Sequence, residues 1–221
     1  MSAFSLIAGQ VNSADVTKPA ISFNSMTWDF GSVPADFRIA HSFGFKNSGD
    51  ADLRITKIYP NCDCTTAAAK DTIIHPGDSS RIKVIFHTRE FYGITTKKLY
   101  VYTNDPGNEM IELEYTANVE FFHKLHTSDP KYMIFLQGQD SKELRLINQS
   151  EDKVAYAVEE EPGSFLSFDR MEGSLSAKTI DSIAVKVRDG ISNGTYFTNF
   201  TVIYDTNPVL RLTIPVKIVR W

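Results

Sequence analysis

Long apolar runs and basic clusters are both missing from this sequence of 221 residues. No run approaches the roughly 18 apolar residues that a membrane-spanning helix requires, so no transmembrane segment is predicted. The basic residues do not cluster beyond the pair Lys97-Lys98, and the formal net charge is −4. Because nucleic-acid binding depends on basic patches that displace counterions from phosphates, no nucleic-acid partner is expected.

The motifs of common catalytic sites are missing too. The sequence has no Gly-x-Ser-x-Gly nucleophile turn, no glycine-rich phosphate loop and no His-Glu-x-x-His zinc motif. It therefore predicts a protein that is not an enzyme and that uses no cofactor. The apolar fraction of 42% is ordinary for a chain that folds around a hydrophobic core.

Helical periodicity is absent, and strand patterns take its place. Apolar residues nowhere keep the 3.6-residue period over three turns, whereas short segments alternate with the two-residue period of a strand. In "FRIAHSFGFKN", for example, Ile39 and Phe43 fall on one predicted face, and Ala40 and Ser42 fall on the other. The sequence therefore predicts an all-β protein.

The sequence repeats itself at an offset of about 101 residues. The aligned segments are 41–53 with 142–154, 80–86 with 181–187, and 102–119 with 204–219. One nearly constant offset over several segments indicates an internal duplication. Short strands separated by frequent turns are typical of immunoglobulin-like domains. We therefore predict two tandem immunoglobulin-like β-sandwich domains.

The predicted domains cover residues 23–122 and 123–221. Residues 1–22 have two interpretations, a remnant of a secretory signal peptide or a disordered tail. Their weakly apolar stretch favours a signal, but the first lysine is Lys18, and a secretory signal starts with basic residues. Both interpretations stay open.

Cysteine is scarce, and the only two, Cys62 and Cys64, are one residue apart. The repeat offset aligns them with Gly163 and Phe165, so the fold itself does not require the pair. They could form a local disulfide or unmetallated loop thiols, bind a soft metal such as Cu(I), or exchange electrons with a partner. Asp63 between them disfavours the thiolate form, which favours the first interpretation.

The first repeat resembles a known family through a series of spaced residues. They are Phe30-Gly31, Phe45-Lys46-Asn47-Ser48-Gly49-Asp50, Leu53, Ile55, Cys62-Asp63-Cys64-Thr65, Pro76-Gly77, Gly93 and Thr103-Asn104-Asp105-Pro106. This pattern, over about residues 26–119, resembles the bacterial domain of unknown function 1573, common in Bacteroidetes envelopes. That family is similar to the ASPM–SPD-2–Hydin and major-sperm-protein types of immunoglobulin-like domain. The family usually has Ser-Cys-Gly-Cys-Thr where this sequence has Asn61-Cys62-Asp63-Cys64-Thr65. The resemblance implies this fold and an exported setting, periplasmic or at the cell surface.

These observations predict a non-enzymatic, exported envelope protein that binds another envelope protein or a surface glycan. One expected route is through loops at one end of the first sandwich, and a second is through strand edges such as the terminal segment 210–219. The loop residues nominated as contacts are Asn61, Asp63, Thr65, Asn104 and Asp105. The alternative function is a thiol-redox or copper-handling module that uses Cys62 and Cys64.

The acidic run Glu159-Glu160-Glu161 could attract Ca²⁺, but it lacks the spaced oxygen ligands of a calcium loop. It is therefore predicted to be a solvated turn.

Overall fold

A computed structural model of the chain describes residues 17–89, 91–119, 125–127 and 131–221. Within these ranges the chain forms strands and no helix, so the prediction of an all-β protein is confirmed. The strands are β1 (Ile21–Phe23), β2 (Thr27–Val33), β3 (Arg38–Asn47), β4 (Leu53–Pro60), β5 (Thr65–Ala69), β6 (Ile73–Ile74), β7 (Ser79–His87), β8 (Gly93–Thr103), β9 (Met110–Val119), β10 (Leu125–Thr127), β11 (Met133–Phe135), β12 (Ser141–Asn148), β13 (Val154–Glu160), β14 (Leu166–Phe168), β15 (Glu172–Leu175), β16 (Ile180–Val187), β17 (Gly194–Tyr204) and β18 (Leu210–Arg220).

Each repeat folds into a two-layer sandwich, as the duplication predicts. In the first domain the sheet β1-β3-β7-β5 packs against β2-β9-β8-β4-β6. In the second domain β10-β12-β16-β14 packs against β18-β17-β13-β15, with β11 beside β18. The first hydrophobic core ends with Val119 and the second begins with Leu125. The expected boundary between residues 122 and 123 lies outside the described residues.

Alternation of apolar and polar side chains explains why these segments become strands. In β9, Ile111, Leu113 and Tyr115 point into the first core, while Glu112 and Glu114 face outward. Successive side chains of a strand point to opposite faces, so one face of β9 is removed from water and the other stays solvated. The same pattern in its neighbours builds the rest of the layer.

A buried asparagine occupies the same place in both domains. The Nδ2 group of Asn47 donates to the carbonyl oxygens of Ala51 (2.8 Å) and Ile74 (2.9 Å). The Nδ2 group of Asn148, 101 positions later, donates to the carbonyls of Asp152 (2.8 Å) and Leu175 (3.3 Å), which are also 101 positions later. The repeat is therefore preserved at the level of single hydrogen bonds.

The two domains share one continuous sheet. Strand β18 pairs with β17 on one side, while on its other side Leu212 pairs with Ser32 of β2 and residues 216–218 pair with β11. The larger layers of both sandwiches thereby form a ten-stranded sheet. The expectation that the terminal segment 210–219 offers a free edge is wrong, because β18 has neighbours on both sides. Pro215, which has no N–H to donate, lies between the two pairings.

The outer face of β3 is also covered. Ala40 and Ser42, on the face opposite Ile39 and Phe43, are both buried. The second domain lies over this face, and the Ala40 N–H donates to Oδ1 of Asn199. Alternation identifies which residues share a face, but it does not reveal that a second domain covers the other one.

The first domain begins earlier than the sequence indicated. Ile21, within the predicted tail 1–22, is buried in β1, and its N–H donates to Oδ2 of Asp105 at 3.0 Å. Residues 1–16 lie outside the described ranges. None of the described residues belongs to a helix long and apolar enough to cross a membrane.

Candidate functional site

Cys62 and Cys64 lie in the connection between β4 and β5, here called the cysteine turn (residues 61–65), and a disulfide joins them. Their Cα atoms are 5.1 Å apart, within the usual range for a disulfide. The Thr65 N–H donates to the carbonyl of Cys62 at 3.1 Å, which closes the turn. The His87 N–H donates to the carbonyl of Cys64 at 2.8 Å, which ties the turn to β7.

The cysteine turn rests directly on the first core. The hydroxyl of Thr65 is hydrogen-bonded to the phenol of Tyr115, which is only 1% exposed. Burial raises the pKa of Tyr115 to about 12, because the phenolate would lose its hydration, although the bond to Thr65 opposes the shift. Thr65 was nominated as a partner contact, but it is buried. Asn61 and Asp63 are exposed and remain available.

Tyr115 makes the first domain sensitive to alkaline pH. In the folded protein its proton is held to about pH 12, whereas the unfolded chain releases it near pH 10. Stability from this group is therefore present below about pH 10 and falls by roughly 2 kcal/mol as the pH rises to about 12. Urea unfolding at several pH values should show a shallower alkaline decline for Tyr115→Phe than for wild type. If stability fell equally with rising pH in the two proteins, Tyr115 would not be the group responsible. Tyr59→Phe, at an exposed tyrosine, is the control.

The described residues around the cysteine turn do not form a metal-binding cluster. In the described part of the chain, no group of three or more His, Cys, Asp or Glu side chains is placed to hold a metal ion. His75 bonds to Asp52, with 2.8 Å between Nδ1 and Oδ1, and this bond raises the pKa of His75. His87 lies beside Asp36, with 3.5 Å between Nε2 and Oδ1. Both imidazoles therefore have carboxylate neighbours of their own.

The two loops expected to share one end of the sandwich lie at opposite ends of β4. Strands β4 and β8 are antiparallel, so Pro60 pairs with Leu99 while Ile55 pairs with Thr103. The cysteine turn follows Pro60, whereas the turn at 104–108 follows Thr103. The prediction of one combined loop surface is therefore wrong, because the sequence does not indicate which loops the strand order brings together.

Asp105 stabilises its own turn. It is 4% exposed, and its carboxylate accepts hydrogen bonds from the side chain of Asn108 (2.9 Å) and the N–H groups of Ile21 (3.0 Å) and Gly107 (2.8 Å). Burial alone would raise the pKa of Asp105, but these hydrogen bonds outweigh it and lower the pKa. Asn104 is exposed. Its Oδ1 accepts a hydrogen bond from the N–H of Arg54 in β4, and its Nδ2 group donates to the carbonyl of Asp52, just before β4. Both residues have structural roles.

Sequence reasoning missed an aromatic surface on the outer side of β4, β8 and β9. This tyrosine face consists of Lys57, Tyr59, Tyr100, Tyr102 and Met110. Tyr59 pairs with Tyr100, and Tyr102 pairs with Lys57 on one side and Met110 on the other. Tyr59 and Met110 are 53% and 54% exposed, and the Lys57 ammonium lies 5.4 Å from the ring of Tyr59. The alternation of "LYVYT" at 99–103 could have indicated it, since Leu99 and Val101 point inward.

The cysteine turn adjoins one end of the tyrosine face. The Asn61 N–H donates to the carbonyl of Lys98 at 3.1 Å, and the Lys98 N–H donates to Oδ1 of Asn61 at 3.2 Å. The Lys98 ammonium bonds to the carboxylate of Glu112 at 2.7 Å and borders the face. Asn61, one of the nominated contact residues, is therefore placed next to the tyrosines.

Residues 21–119 match the family described as "Protein of unknown function (DUF1573)". The first domain belongs to this family. The match covers β1 to β9 and includes the cysteine turn and the tyrosine face. No curated protein matches the chain.

Solved structures are similar to the chain in fold. A protein of unknown function from Porphyromonas gingivalis W83 has 10% identity and a TM-score of 0.37, covering 90% of this chain and 99% of that one. An ASH/PapD-like domain of human CEP192 has 7% identity and a TM-score of 0.39, covering 56% of this chain and 99% of that one. The VesB protease of Vibrio cholerae has 10% identity and a TM-score of 0.38 over 44% of this chain, which spans 31% of the VesB structure.

The acidic run of the second domain contacts the DUF1573 domain. Glu161, predicted to be solvated, is 6% exposed, and its Oε2 lies 3.3 Å from Nδ1 of His41. The imidazole of His41 stacks on Trp28 at 3.8 Å between ring centres. Glu160 pairs with Arg188. The solvated-turn prediction is therefore wrong, because the run packs into the junction between the domains.

Proposed function

We propose that the chain is a non-enzymatic, exported protein of the cell envelope that binds another envelope protein or a surface glycan. The observation that carries this proposal is the tyrosine face. Tyrosine and methionine are enriched where proteins contact partners, because they bury a large area and tyrosine adds a hydroxyl for hydrogen bonds. Export is supported by the disulfide, since disulfides persist in oxidising compartments.

The tyrosine face stands on a fully paired part of the sheet. Its side chains stand on three paired strands whose inward residues, Leu99, Val101 and Leu113, are fully buried. Each tyrosine has few rotatable bonds, so binding costs little conformational entropy. A surface of this kind suits a flat partner, and either a protein surface or the apolar side of a sugar ring could contact the rings.

A photo-crosslinking residue at position 59 tests the proposal in the native envelope. We expect Tyr59 replaced by benzoylphenylalanine to give one specific product, while the same replacement at the exposed Met171 of the second domain gives none. Adding Tyr100→Ser should reduce the yield about tenfold, because central aromatic contacts carry most binding energy. A mass shift that survives periodate indicates a protein partner, and one that periodate removes indicates a glycan. Equal products from positions 59 and 171 would refute the surface.

The thiol-redox or copper-handling function is the alternative for the cysteine turn. It requires reduced sulfur atoms, because the thiolate is the form that attacks disulfides and binds metals. In the structure the sulfur atoms of Cys62 and Cys64 are bonded to each other. No observation on the described residues favours this alternative over a stabilised turn beside the tyrosine face.

A further inference from the structure

A groove of about 380 Å³ lies between the two domains, away from the tyrosine face. We call it the seam groove. The first domain contributes the start of β3 and the end of β7, and the second contributes β11, β17 and β18. The lining residues that matter for binding are Asp36, Arg38, His87, Phe197 and Lys217. This size and mixture of aromatic and polar groups are usual for a small-ligand site.

Two cations from different domains meet at one aromatic ring in the seam groove. The guanidinium carbon of Arg38 lies 4.8 Å from the centre of the Phe197 ring, and the ammonium of Lys217 lies 6.0 Å from it. Both side chains are exposed, and neither forms an ion pair with a carboxylate among the described residues. Two cations without an anionic partner beside an apolar floor attract a carboxylate.

The seam groove also contains an acceptor. The carboxylate of Asp36 is 76% exposed, and its Oδ1 lies 3.5 Å from Nε2 of His87. A carboxylate would repel a simple anion, but it accepts hydrogen bonds from hydroxyl groups. Cations together with an exposed acceptor therefore fit a ligand that carries both a carboxylate and hydroxyls.

Two of the strand edges beside the seam groove, those of β3 and β18, are already in contact with other groups. The N–H of Ala40 on the edge of β3 donates to Asn199, and the edge of β18 is covered by β2 and β11. An extended peptide that binds by strand addition needs free backbone groups along such an edge. Along β3 and β18 the groove therefore favours a compact ligand over an added peptide strand.

We propose that the seam groove binds an acidic sugar, with its carboxylate between Arg38 and Lys217 and its ring against Phe197. The hydroxyl groups of the sugar donate to Asp36. This proposal does not depend on the tyrosine face, because it concerns a different surface of the molecule.

Isothermal titration calorimetry of the full chain with trigalacturonate tests the proposal, with galactotriose as the neutral probe. We expect trigalacturonate to bind at least about tenfold more tightly than galactotriose, and the difference to shrink as salt is added. Arg38→Gln and Lys217→Gln should each weaken trigalacturonate binding about tenfold, because each removes a charge-assisted hydrogen bond. Lys186→Gln, at an exposed lysine on β16, should leave binding unchanged.

Three results would overturn the assignment. These are equal binding of the neutral and acidic sugars, equal binding by wild type and by the variant that combines Arg38→Gln with Lys217→Gln, and tighter binding of the peptide trialanine than of trigalacturonate. Thermal unfolding of each variant shows whether the fold is retained. Tyr59→Ser with Tyr100→Ser should not alter trigalacturonate binding, so failure of this proposal and failure of the tyrosine face can be told apart.

Discussion

Replacing Gly31 by alanine should break the contact between the two domains. Gly31 adopts a left-handed conformation with φ of 67°, which non-glycine residues rarely tolerate. A Cβ atom added there would lie 2.3 Å from Cβ of Arg211 and 2.5 Å from its carbonyl oxygen. Because β2 meets β18 at this point, the backbone of one domain must move away from the other.

Arg211 makes this displacement costly. Its guanidinium lies 5.0 Å from the centre of the Trp28 ring, its Nε donates to the carbonyl of Asp29 at 3.1 Å, and it bonds to the carboxylate of Glu159. Thr213, two residues on, donates from its hydroxyl to the carbonyl of Phe30. The ion pair with Glu159 lies within the second domain and holds Arg211 in place, so moving β18 away from Gly31 disrupts the contact with Trp28 and the hydrogen bonds to Asp29 and Phe30.

Gly93→Ala is the matched control for Gly31→Ala. Gly93 has a φ of 72°, but a Cβ atom there would meet nothing within 4 Å. The control should cost about 1–2 kcal/mol from the left-handed backbone alone. Gly31→Ala adds overpacking of about 1–3 kcal/mol, so its total should be about 2–5 kcal/mol.

Small-angle scattering and urea unfolding measure the outcome. We expect Gly31→Ala to increase the radius of gyration and to split the unfolding curve into two transitions, because the domains no longer stabilise each other. Gly93→Ala should keep the wild-type radius and a single transition. If both variants behave alike, the close approach of Gly31 to Arg211 does not support the junction.

The sequence predicted the duplication because the core pattern is kept in both halves. Strand β17 begins and ends 101 positions after β8 begins and ends. Asn47 and Asn148, also 101 positions apart, make equivalent hydrogen bonds. These features depend on neighbours within one domain, and periodicity and turn residues record such neighbours directly. That is why the fold class and the repeat could both be predicted.

The junction could not be predicted in the same way. Its contacts join residues more than a hundred positions apart, such as His41 with Glu161, and no local pattern marks them. The repeat offset also gives no help, because the residues equivalent to His41 and Glu161 are Lys142 and Pro60. The pairing of the domains therefore depends on side chains that the two halves do not share.

The tyrosine face could be predicted from the sequence only in part. The alternation in β8 identifies Tyr100 and Tyr102 as outward residues, and this could have been read from the sequence. Their meeting with Tyr59 depends on the register of β4 and on the irregularity between Ile55 and Lys57. A shift of one residue would turn Tyr59 towards the core, so this site needed the structure.

Replacing Asn148 by alanine should be strongly destabilising to the second domain. Asn148 is 1% exposed, and its Nδ2 group donates to the carbonyls of Asp152, Leu175 and Ser176. Alanine leaves these acceptors without their donor in a region with little access to water, and each unsatisfied group costs about 1–3 kcal/mol. We expect a loss of about 3–4 kcal/mol, at the upper end for a single substitution.

Asn47→Ala should have the same effect on the first domain, because Asn47 is fully buried and donates to Ala51 and Ile74. Asn104→Ala is the matched control, since its amide also makes two hydrogen bonds but is exposed, so water replaces the lost partners at about 1 kcal/mol or less. Hydrogen exchange followed by mass spectrometry separates the domains. Asn148→Ala should lower the protection of backbone amides against exchange more in β12 and β15 than in β3 and β6. Asn47→Ala should lower it more in β3 and β6. Equal losses of unfolding free energy for Asn104→Ala and Asn148→Ala would show that burial of the asparagine does not determine the cost. Asn47 and Asn148 would then not be the equivalent stabilising residues that the repeat indicates.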